Sequence, residues 1–345
     1  MDANGGEPAA SDAGGESGQA HARPSRPGPA LPAAAVKDRP SASLAPPLRA
    51  AMLLPVQPTV SSALRSALAA LASSSTPRSD AEELLSRLLG VSRSGLHLSG
   101  ARKLTRTESA RFAAWLARRA RCEPVQYITG RAAFRDLDLA VDPRVLVPRP
   151  ETEGLVETVI EVLRAEAPRW LAPRILDLGT GSGAIALALA AEWPGATVTA
   201  TDASADALEV ARANAATLGL AERIRFLAGH WFEPVGAQER FEVVVSNPPY
   251  ITTGEAGALP EDVRSFEPRQ ALFSGASGLD AASEIVERAP GHLAAGGLLA
   301  LEMAEDRVHH LADGLRRARD WPSIEVRDDL AGRPRYLLGR AVETG

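Results

Sequence analysis

Two short segments carry the residues of this chain that are best suited to chemistry. The first is a glycine-rich loop, Asp177-Leu-Gly-Thr-Gly-Ser-Gly183, which follows an apolar pair, Ile175-Leu176, and opens an apolar run, Ala184 to Ala191. This pattern predicts a strand-to-helix turn at the sheet edge where open α/β folds bind ligands. Alternating glycines permit a tight turn and a close approach to a ligand, while free N–H groups at a helix start favour an anion. We therefore predict a cofactor site formed by Asp177, Gly179, Thr180, Gly181, Ser182 and Gly183.

An acidic residue further along the chain indicates the class of cofactor. Asp202 lies nineteen residues beyond Gly183, at the end of the next predicted strand. A carboxylate there can accept hydrogen bonds from both ribose hydroxyls of an adenosine. The spacing Gly-x-Gly-x-Gly differs from the Gly-x-Gly-x-x-Gly of nicotinamide-binding folds. Asp177 would repel a pyrophosphate and would suit a methionine ammonium group, so the loop favours S-adenosylmethionine over a dinucleotide.

The second segment, Asn247-Pro248-Pro249-Tyr250, directly follows the apolar strand candidate Phe241 to Ser246. Two prolines fix the backbone and remove two N–H donors, so the local carbonyls can face a substrate in a rigid arrangement. The Asn247 side-chain oxygen and the Pro248 carbonyl can each accept one hydrogen of a planar NH2 group, which orients a nitrogen that is a poor nucleophile. Tyr250 can lie against the flat group. The pair of segments predicts methyl transfer to an amide or exocyclic amine nitrogen, with Asn247 and Pro248 as the catalytic residues.

Length and composition define the setting of these segments. The chain has 345 residues, 45% hydrophobic and 23% charged, with a formal charge of −5 and a single cysteine, Cys122. The length favours two domains, or one domain and a disordered segment. The charge gives no general attraction to nucleic-acid backbones, and the lone cysteine excludes a disulfide framework and a multi-cysteine zinc site within the chain. We expect no metal, no stable nucleic-acid partner, no membrane span and a cytoplasmic monomer.

The beginning of the chain differs from the remainder in composition. Ala, Gly, Pro and Ser supply 32 of residues 1 to 50, without helical or strand periodicity. Such a composition cannot bury enough apolar surface to offset its ordering entropy. We therefore expect residues 1–55 to be a disordered leader, and translation to start naturally at Met52.

The patterned sequence divides into three parts. Residues 56–126 read as a small helical domain, with capping boxes at Ser79 to Glu82 and at Thr105 to Glu108. We interpret its arginines, Arg118, Arg119 and Arg121, as a solvated helix face rather than a docking surface. Residues 127–147 alternate as a β-hairpin linker would, and residues 148–345 alternate between strands and helices.

Strand candidates in the last part are separated by helical patterns, which predicts right-handed βαβ units in a mostly parallel, doubly wound sheet. The fold class expected is α/β, a Rossmann-like sheet with a small N-terminal helical domain. The candidates are Arg174 to Asp177, Thr197 to Asp202, Ile224 to Leu227, Phe241 to Ser246, Leu298 to Glu302, Ile324 to Arg327 and Tyr336 to Arg340.

From about Thr59 to the end, the chain resembles the family of peptide chain release factor glutamine methyltransferases. The resemblance rests on the two segments above and on Tyr127-Ile-Thr-Gly130, Val147-Pro-Arg-Pro-Glu-Thr-Glu153, Asp262-Val-Arg-Ser-Phe-Glu-Pro268 and Gly278-Leu279-Asp280. It implies a Rossmann-like S-adenosylmethionine-dependent methyltransferase that modifies the glutamine of the release-factor Gly-Gly-Gln motif, with the helical domain helping to dock the release factor. Contacts to the cofactor would come from Gly179 to Gly183, Asp202, Asn247 and Trp231, with Trp231 against the adenine, while Asn247 to Tyr250 would hold the glutamine. The chain departs from the family's usual pattern at His230, where the family often has Asp.

Two alternatives share the same chemistry. A glutamine of a ribosomal protein would also present a planar NH2 group that must be oriented towards the methyl donor. The Asp262 to Pro268 stretch inclines us towards release factors. Adenine N6 in nucleic acid would present such a group after base flipping, but the chain shows neither a target-recognition domain nor a basic balance.

Overall fold

The structure is a computed structural model that describes residues 57–342. The expected disordered leader, residues 1–55, and the proposed start at Met52 lie outside the described residues.

The helical domain begins with a capped helix and contains five helices within the described residues. Their bounds are α1, Val60–Ala70; α2, Pro77–Leu89; α3, Arg93–Leu98; α4, Arg106–Arg119; and α5, Val125–Thr129. Their apolar faces pack into one core that includes Leu84, Leu85, Phe112 and Leu116.

The two expected capping boxes have different outcomes. Thr105 and Glu108 form theirs at the start of α4, as predicted. The box at Ser79 and Glu82 was wrong, because α2 already starts at Pro77, whose fixed φ and missing N–H suit the first position of a helix.

The interpretation of the arginines as a solvated face was wrong for Arg119, whereas the Arg118 side chain is 36% exposed and Arg121 is exposed. Arg119 is buried and its Nε donates to Asp80 Oδ2 at 2.7 Å, while its Nη1 reaches Asp262 Oδ2 at 3.4 Å. Arg118 Nε donates to Glu123 at 2.8 Å. Polar residues along a helix predict exposure to solvent only when no carboxylate from another element covers that face. Here Asp80 of α2 and Asp262, from a short helix far along the chain, cover Arg119.

A small hairpin follows the helices. Strand β1, Arg131–Phe134, pairs antiparallel with β2, Leu137–Ala140. The side chain of Asn214 closes this hairpin onto the larger unit, accepting from Ala140 N at 2.7 Å and donating to the Ala140 carbonyl at 3.0 Å.

The predicted α/β architecture is confirmed, with a sheet of seven strands in the part of the chain that the structure describes. The strands are β3, Arg174–Leu178; β4, Thr197–Asp202; β5, Ile224–Ala228; β6, Phe241–Ser246; β7, Leu293–Glu302; β8, Ser323–Asp328; and β9, Pro334–Arg340. Their order is β5-β4-β3-β6-β7-β9-β8. The first five strands of this order are parallel, and β9 runs antiparallel to both β7 and β8.

Helices cover both faces of this sheet. They are α6, Pro150–Ala165; α7, Ala184–Glu192; α8, Ala205–Thr217; α9, Glu261–Phe266; α10, Asp280–Arg288; and α11, Glu305–Leu315. One core cluster includes α6 and α7, and another includes α10 and α11. Helix α7 is apolar on all sides and nearly every residue in it is buried, as expected for a helix between the sheet and α6.

The fold places both chemical segments at one edge of the sheet. Strands β3 and β6 are parallel neighbours, with Leu178 opposite Ser246. The glycine loop after β3 and the tetrapeptide after β6 therefore emerge side by side.

Candidate functional site

The glycine loop adopts a conformation that other residues would resist. Gly179 and Gly181 have φ angles of +71° and +56°, in the left-handed region that favours glycine. A Cβ on Gly179 would lie 3.0 Å from the Trp231 ring, whereas a Cβ on Gly181 would meet nothing within 4 Å. The backbone at Gly181 thus faces open space.

Two aspartates hold the loop in place by hydrogen bonds. Asp177 is fully buried, and its Oδ2 accepts from Thr180 Oγ1 at 2.6 Å and from Ala186 N at 3.2 Å. Asp202 Oδ2 accepts from Gly181 N at 2.8 Å. Burial raises the pKa of Asp177 to about 7 and also raises the pKa of Asp202.

A cavity of about 480 Å³ opens beside the loop. Five predicted cofactor residues line it, namely Gly179, Gly181, Asp202, Trp231 and Asn247. Asp177, Thr180, Ser182 and Gly183 are not part of this lining, and all four are buried. Their contact with a cofactor stays a prediction, and what the structure shows for Asp177 and Thr180 is a mutual hydrogen bond that shapes the turn.

Trp231 forms one wall of this cavity at a conformational cost. Its φ of +44° is rare for a bulky residue, and such strain of about 1–3 kcal/mol collects at functional sites. The indole is 9% exposed, and its Nε1 is buried without a hydrogen-bond partner in the described residues. His230, beside it in the wall, places Nδ1 3.5 Å from Glu284 Oε1.

The charges around the cavity fit a cationic nucleoside cofactor better than a dinucleotide. Asp202, Asp280 and Glu284 line it, and the one Arg or Lys among the described residues of the lining, Arg144, is already paired with Asp142 at 2.7 Å. A pyrophosphate would have no free cation there, while a sulfonium or ammonium group would meet carboxylates. Together with the open face of Gly181 and the unpartnered indole N–H, the residues fit S-adenosylmethionine.

Hydrogen bonds hold the tetrapeptide and the strand end before it, and one of them is from Arg307 Nη1 to the Tyr250 carbonyl at 3.2 Å. Ser246 Oγ donates to the Leu178 carbonyl at 2.7 Å, which joins the ends of β6 and β3. Asn247 Nδ2 donates to Thr152 Oγ1 at 3.0 Å. The amide of Asn247 is thus oriented with Oδ1 as its remaining acceptor.

A second cavity, of about 320 Å³, lies on the other side of the tetrapeptide. All four predicted substrate residues, Asn247, Pro248, Pro249 and Tyr250, line it. Asn247 and Pro249 line both cavities. The structure therefore brings the two predicted sites into contact at Asn247, one of the two residues proposed for catalysis, while the other, Pro248, lines only the second cavity.

An ion pair forms a further wall of the second cavity. Arg149, which lines it, donates from Nη2 to Glu267 Oε2 at 2.6 Å, and the Glu267 side chain is 2% exposed. Burial raises the pKa of Glu267, and Arg149 opposes that effect. The pair joins the stretch around Pro148 to the stretch around Pro268, which are far apart in sequence.

Sequence reasoning missed three residues that contribute to this site. Thr152 orients Asn247, Arg149 lines the second cavity, and Glu302 ends the strand beside Asn247. Arg149 and Thr152 belong to the Val147 to Glu153 motif, which was noticed without a role. An isolated Glu at the end of an apolar strand was the available signal for Glu302.

Two negative findings apply to the described range alone. Within residues 57–342 no group of three or more His, Cys, Asp or Glu side chains is placed to hold a metal ion. No helix in that range has the length and apolar character needed to cross a membrane.

Comparison with known proteins adds family relationships. A family model described as PrmC N-terminal domain matches residues 62–130, and one described as Methyltransferase small domain matches residues 156–259. A protein of Gloeobacter violaceus is 43% identical over 251 residues, which are 70% of this chain and 86% of that protein. A protein of Koribacter versatilis is 40% identical over 82% of this chain and 98% of its own length, and one of Bordetella pertussis is 44% identical over 78% and 97%. All three relatives are named release factor glutamine methyltransferase.

Proposed function

The chain belongs to the family of release factor glutamine methyltransferases, and we propose that it methylates N5 of the glutamine in the Gly-Gly-Gln motif of peptide chain release factors and thereby modulates translation termination. The observation that carries this proposal is the meeting of two cavities at Asn247 and Pro249. One cavity suits the methyl donor, and the other has the acceptor-lined strand end that an amide nitrogen requires.

The reaction needs orientation more than a base. The lone pair of an amide nitrogen is delocalised, which makes the nitrogen a poor nucleophile. It attacks only when it is held in line with the methyl carbon that is to be transferred. Asn247 Oδ1 and the Pro248 carbonyl each accept one N–H hydrogen, which aims the lone pair at the first cavity and stabilises the charge that develops on nitrogen. S-adenosylmethionine, when bound, supplies a methyl group on a cationic sulfur. A nitrogen that had received this methyl group would be cationic and strongly acidic, so it would release its proton without a dedicated base.

On this proposal the residues around the first cavity hold the cofactor. The Asp202 carboxylate keeps lone pairs for ribose hydroxyls after its two backbone hydrogen bonds, from Gly181 N and Ser204 N, since a carboxylate offers about four acceptor positions. The indole of Trp231 provides a flat apolar wall for the adenine.

The helical domain would hold the protein substrate, and we place this activity in a cytoplasmic monomer. Asp262, which Arg119 of the helical domain contacts, directly precedes Val263, which lines the second cavity. The docking domain is thereby connected to the wall of the substrate site.

The test uses the full chain with radiolabelled S-adenosylmethionine and four acceptors: a release factor, its Gly-Gly-Gln variant with Gln→Ala, ribosomal proteins and unmethylated DNA. We expect label on the release factor alone. Label on ribosomal protein would replace the substrate by the related glutamine, and label only on DNA would overturn amide methylation in favour of adenine N6.

Asn247→Ala tests the mechanism. Loss of one oriented acceptor should reduce turnover by about 10²–10³-fold, while circular dichroism and thermal unfolding show that the fold is kept. Unimpaired turnover in this variant would refute the role of Asn247.

A further inference from the structure

Glu302 is a buried carboxyl that the mechanism above does not use. It is the last residue of β7, where Leu301 lies opposite Ser246, so Glu302 and Asn247 follow as neighbours on parallel strands. The side chain is 1% exposed, and neither carboxyl oxygen has a hydrogen-bond partner of ordinary geometry among the described residues. A carboxyl in such surroundings is costly, so its position beside the catalytic tetrapeptide calls for an explanation.

Thr152 interacts with both Asn247 and this carboxyl. Its hydroxyl oxygen accepts from Asn247 Nδ2 at 3.0 Å, and the same hydroxyl lowers the pKa of Glu302 against the effect of burial. The hydroxyl has one hydrogen to donate, and the Asn247 contact leaves that hydrogen available to Glu302.

We propose that Glu302 is a positioning residue for methyl transfer, which takes the hydroxyl hydrogen of Thr152 and so fixes the Asn247 amide with Oδ1 towards the substrate. This inference rests on the proposed function, because it assigns the substrate-holding acceptor to Asn247 Oδ1.

The argument is one of donors and acceptors. An ionised carboxylate only accepts, so in a hydrogen bond between the two side chains Thr152 is the donor. The Thr152 oxygen then accepts from Asn247, and only the NH2 end of that amide can donate. The order of the three groups thus excludes the flipped amide, which would present N–H groups to a substrate that itself offers N–H groups.

Protonation of Glu302 removes this control. A protonated carboxyl can donate to Thr152, whose own hydrogen is then free to point at Asn247 and favour the flipped amide. Burial raises the pKa of Glu302 to about 7, Thr152, Arg335 and Arg149 oppose this shift, and Glu151 adds to it. Tyr250 and Tyr336 also face the carboxyl, and burial followed by the Glu302 charge raises the pKa of each to about 12, so both stay neutral near pH 7.

The first experiment measures steady-state kinetics of the full chain with a release factor at pH 6 to 8.5. Thr152→Val, which removes the hydroxyl at nearly constant shape, should lower kcat about tenfold with little change in the cofactor Kd measured by calorimetry. Thr152→Ser should restore most of the loss. Thr158→Val is the matched control, since Thr158 lies on the same helix, is buried, and bonds only the Gly154 carbonyl in this structure, at 2.8 Å; its kcat should equal that of wild type.

Glu302→Gln tests the interaction between Glu302 and Thr152. The kcat of wild type should fall as the pH is lowered through about 7, and the variant should lose this fall and show a lower kcat at pH 8. Combined with Thr152→Val, Glu302→Gln should cause no further loss of kcat, because Glu302 acts on Asn247 only through Thr152. Multiplicative losses in the double variant, or equal pH profiles with and without the carboxyl, would overturn the proposal.

A second readout is independent of the acceptor used. The side-chain amide signal of Asn247 in a ¹H–¹⁵N spectrum, identified by its loss in Asn247→Ala, should shift between pH 6 and 8 in wild type and stay constant in Glu302→Gln and in Thr152→Val. A signal that shifts equally in all three proteins would overturn the inference even if release factors are methylated. If no release factor is methylated while the signal behaves as expected, the proposed function fails and the control of the amide by Glu302 stands.

Discussion

Asp177→Asn should change how the stability of the protein depends on pH. Burial raises the pKa of Asp177 from 3.8 to about 7, against the lowering effect of its bonds to Thr180 and Ala186, while the nearby charge of Asp202 adds to the rise. The folded state therefore keeps a proton that the unfolded state has released between pH 4 and 7. The stability from this proton is fully present below the unfolded pKa and is lost as the pH rises through the folded pKa.

The magnitude follows from the two pKa values. One pKa unit corresponds to about 1.4 kcal/mol, so the shift from 3.8 to about 7 represents a total of about 4 kcal/mol, of which about 3 kcal/mol is lost between pH 5 and 8. Asn keeps an oxygen for Thr180 and Ala186, but it puts an NH2 group where Oδ1 has no partner. That unpaired group costs about 1–3 kcal/mol at every pH. This constant cost lowers the free energy of unfolding equally at every pH, so the change in its dependence on pH stays measurable.

The assay is urea unfolding at pH 5, 6, 7 and 8 at constant ionic strength and without cofactor. The free energy of unfolding of wild type should fall by about 3 kcal/mol more than that of Asp177→Asn over this range. Glu325→Gln, at an exposed position of β8, controls for the substitution of an acid by its amide, and its curve should run parallel to that of wild type. A curve for Asp177→Asn that also runs parallel to wild type would refute the reasoning.

Glu302 should make a separate contribution to the fall in the free energy of unfolding as the pH rises. Burial raises its pKa from 4.5 to about 7, so Glu302→Gln should flatten the same curve by about 2–3 kcal/mol between pH 5 and 8. Strand β6 lies between β3 and β7, so the two strands that carry these carboxyls are about 10 Å apart. At that distance the two effects should add in the double variant.

Three further substitutions have outcomes that the structure specifies. Gly179→Ala should raise the cofactor Kd at least tenfold by calorimetry and cost about 1–2 kcal/mol in urea unfolding, because its Cβ would lie 3.0 Å from the Trp231 ring at a left-handed φ; an unchanged Kd would contradict the placement of the cofactor. Arg119→Met should cost about 3 kcal/mol of stability by leaving Asp80 buried without its cation, and Asp80→Asn in the same chain should recover part of it. Asp202→Asn should weaken cofactor binding by about 10–100-fold, the value of a hydrogen bond to a charged acceptor, with no change in the release factor's KM.

The elements of the fold were largely predictable because their periodicity is strong. All seven strand candidates exist, and six agree with the structure within two residues at each end. The exception is β7, which begins at Leu293 instead of Leu298. Gly296 and Gly297 lie where the pairing with β6 shifts register, a bulge that glycine accommodates inside a strand.

The contacts that complete the site could not be predicted from the sequence pattern, because they join residues that are far apart along the chain. Arg149 and Glu267 are 118 positions apart, and Thr152 and Asn247 are 95 apart. Each residue taken alone is an ordinary polar side chain in a loop or helix start. Only the crossing order of the strands, which places β6 between β3 and β7, brings such residues together, and one sequence without relatives carries no information about that pairing.

The position of the tetrapeptide explains why it specifies a reaction but not a substrate. Its backbone and the Asn247 side chain offer acceptors for any planar NH2 group, so a glutamine amide and an adenine amine satisfy it equally. Selection must come from groups that line the second cavity and are absent from the first, such as Arg149, Tyr250 and Val263. Asp262, next to Val263, bonds the helical domain through Arg119, whereas none of the described residues of that domain lines the first cavity. The helical domain can therefore influence which acceptor enters without altering how the cofactor is held, which is the arrangement expected of an enzyme that recognises a folded protein around its target glutamine.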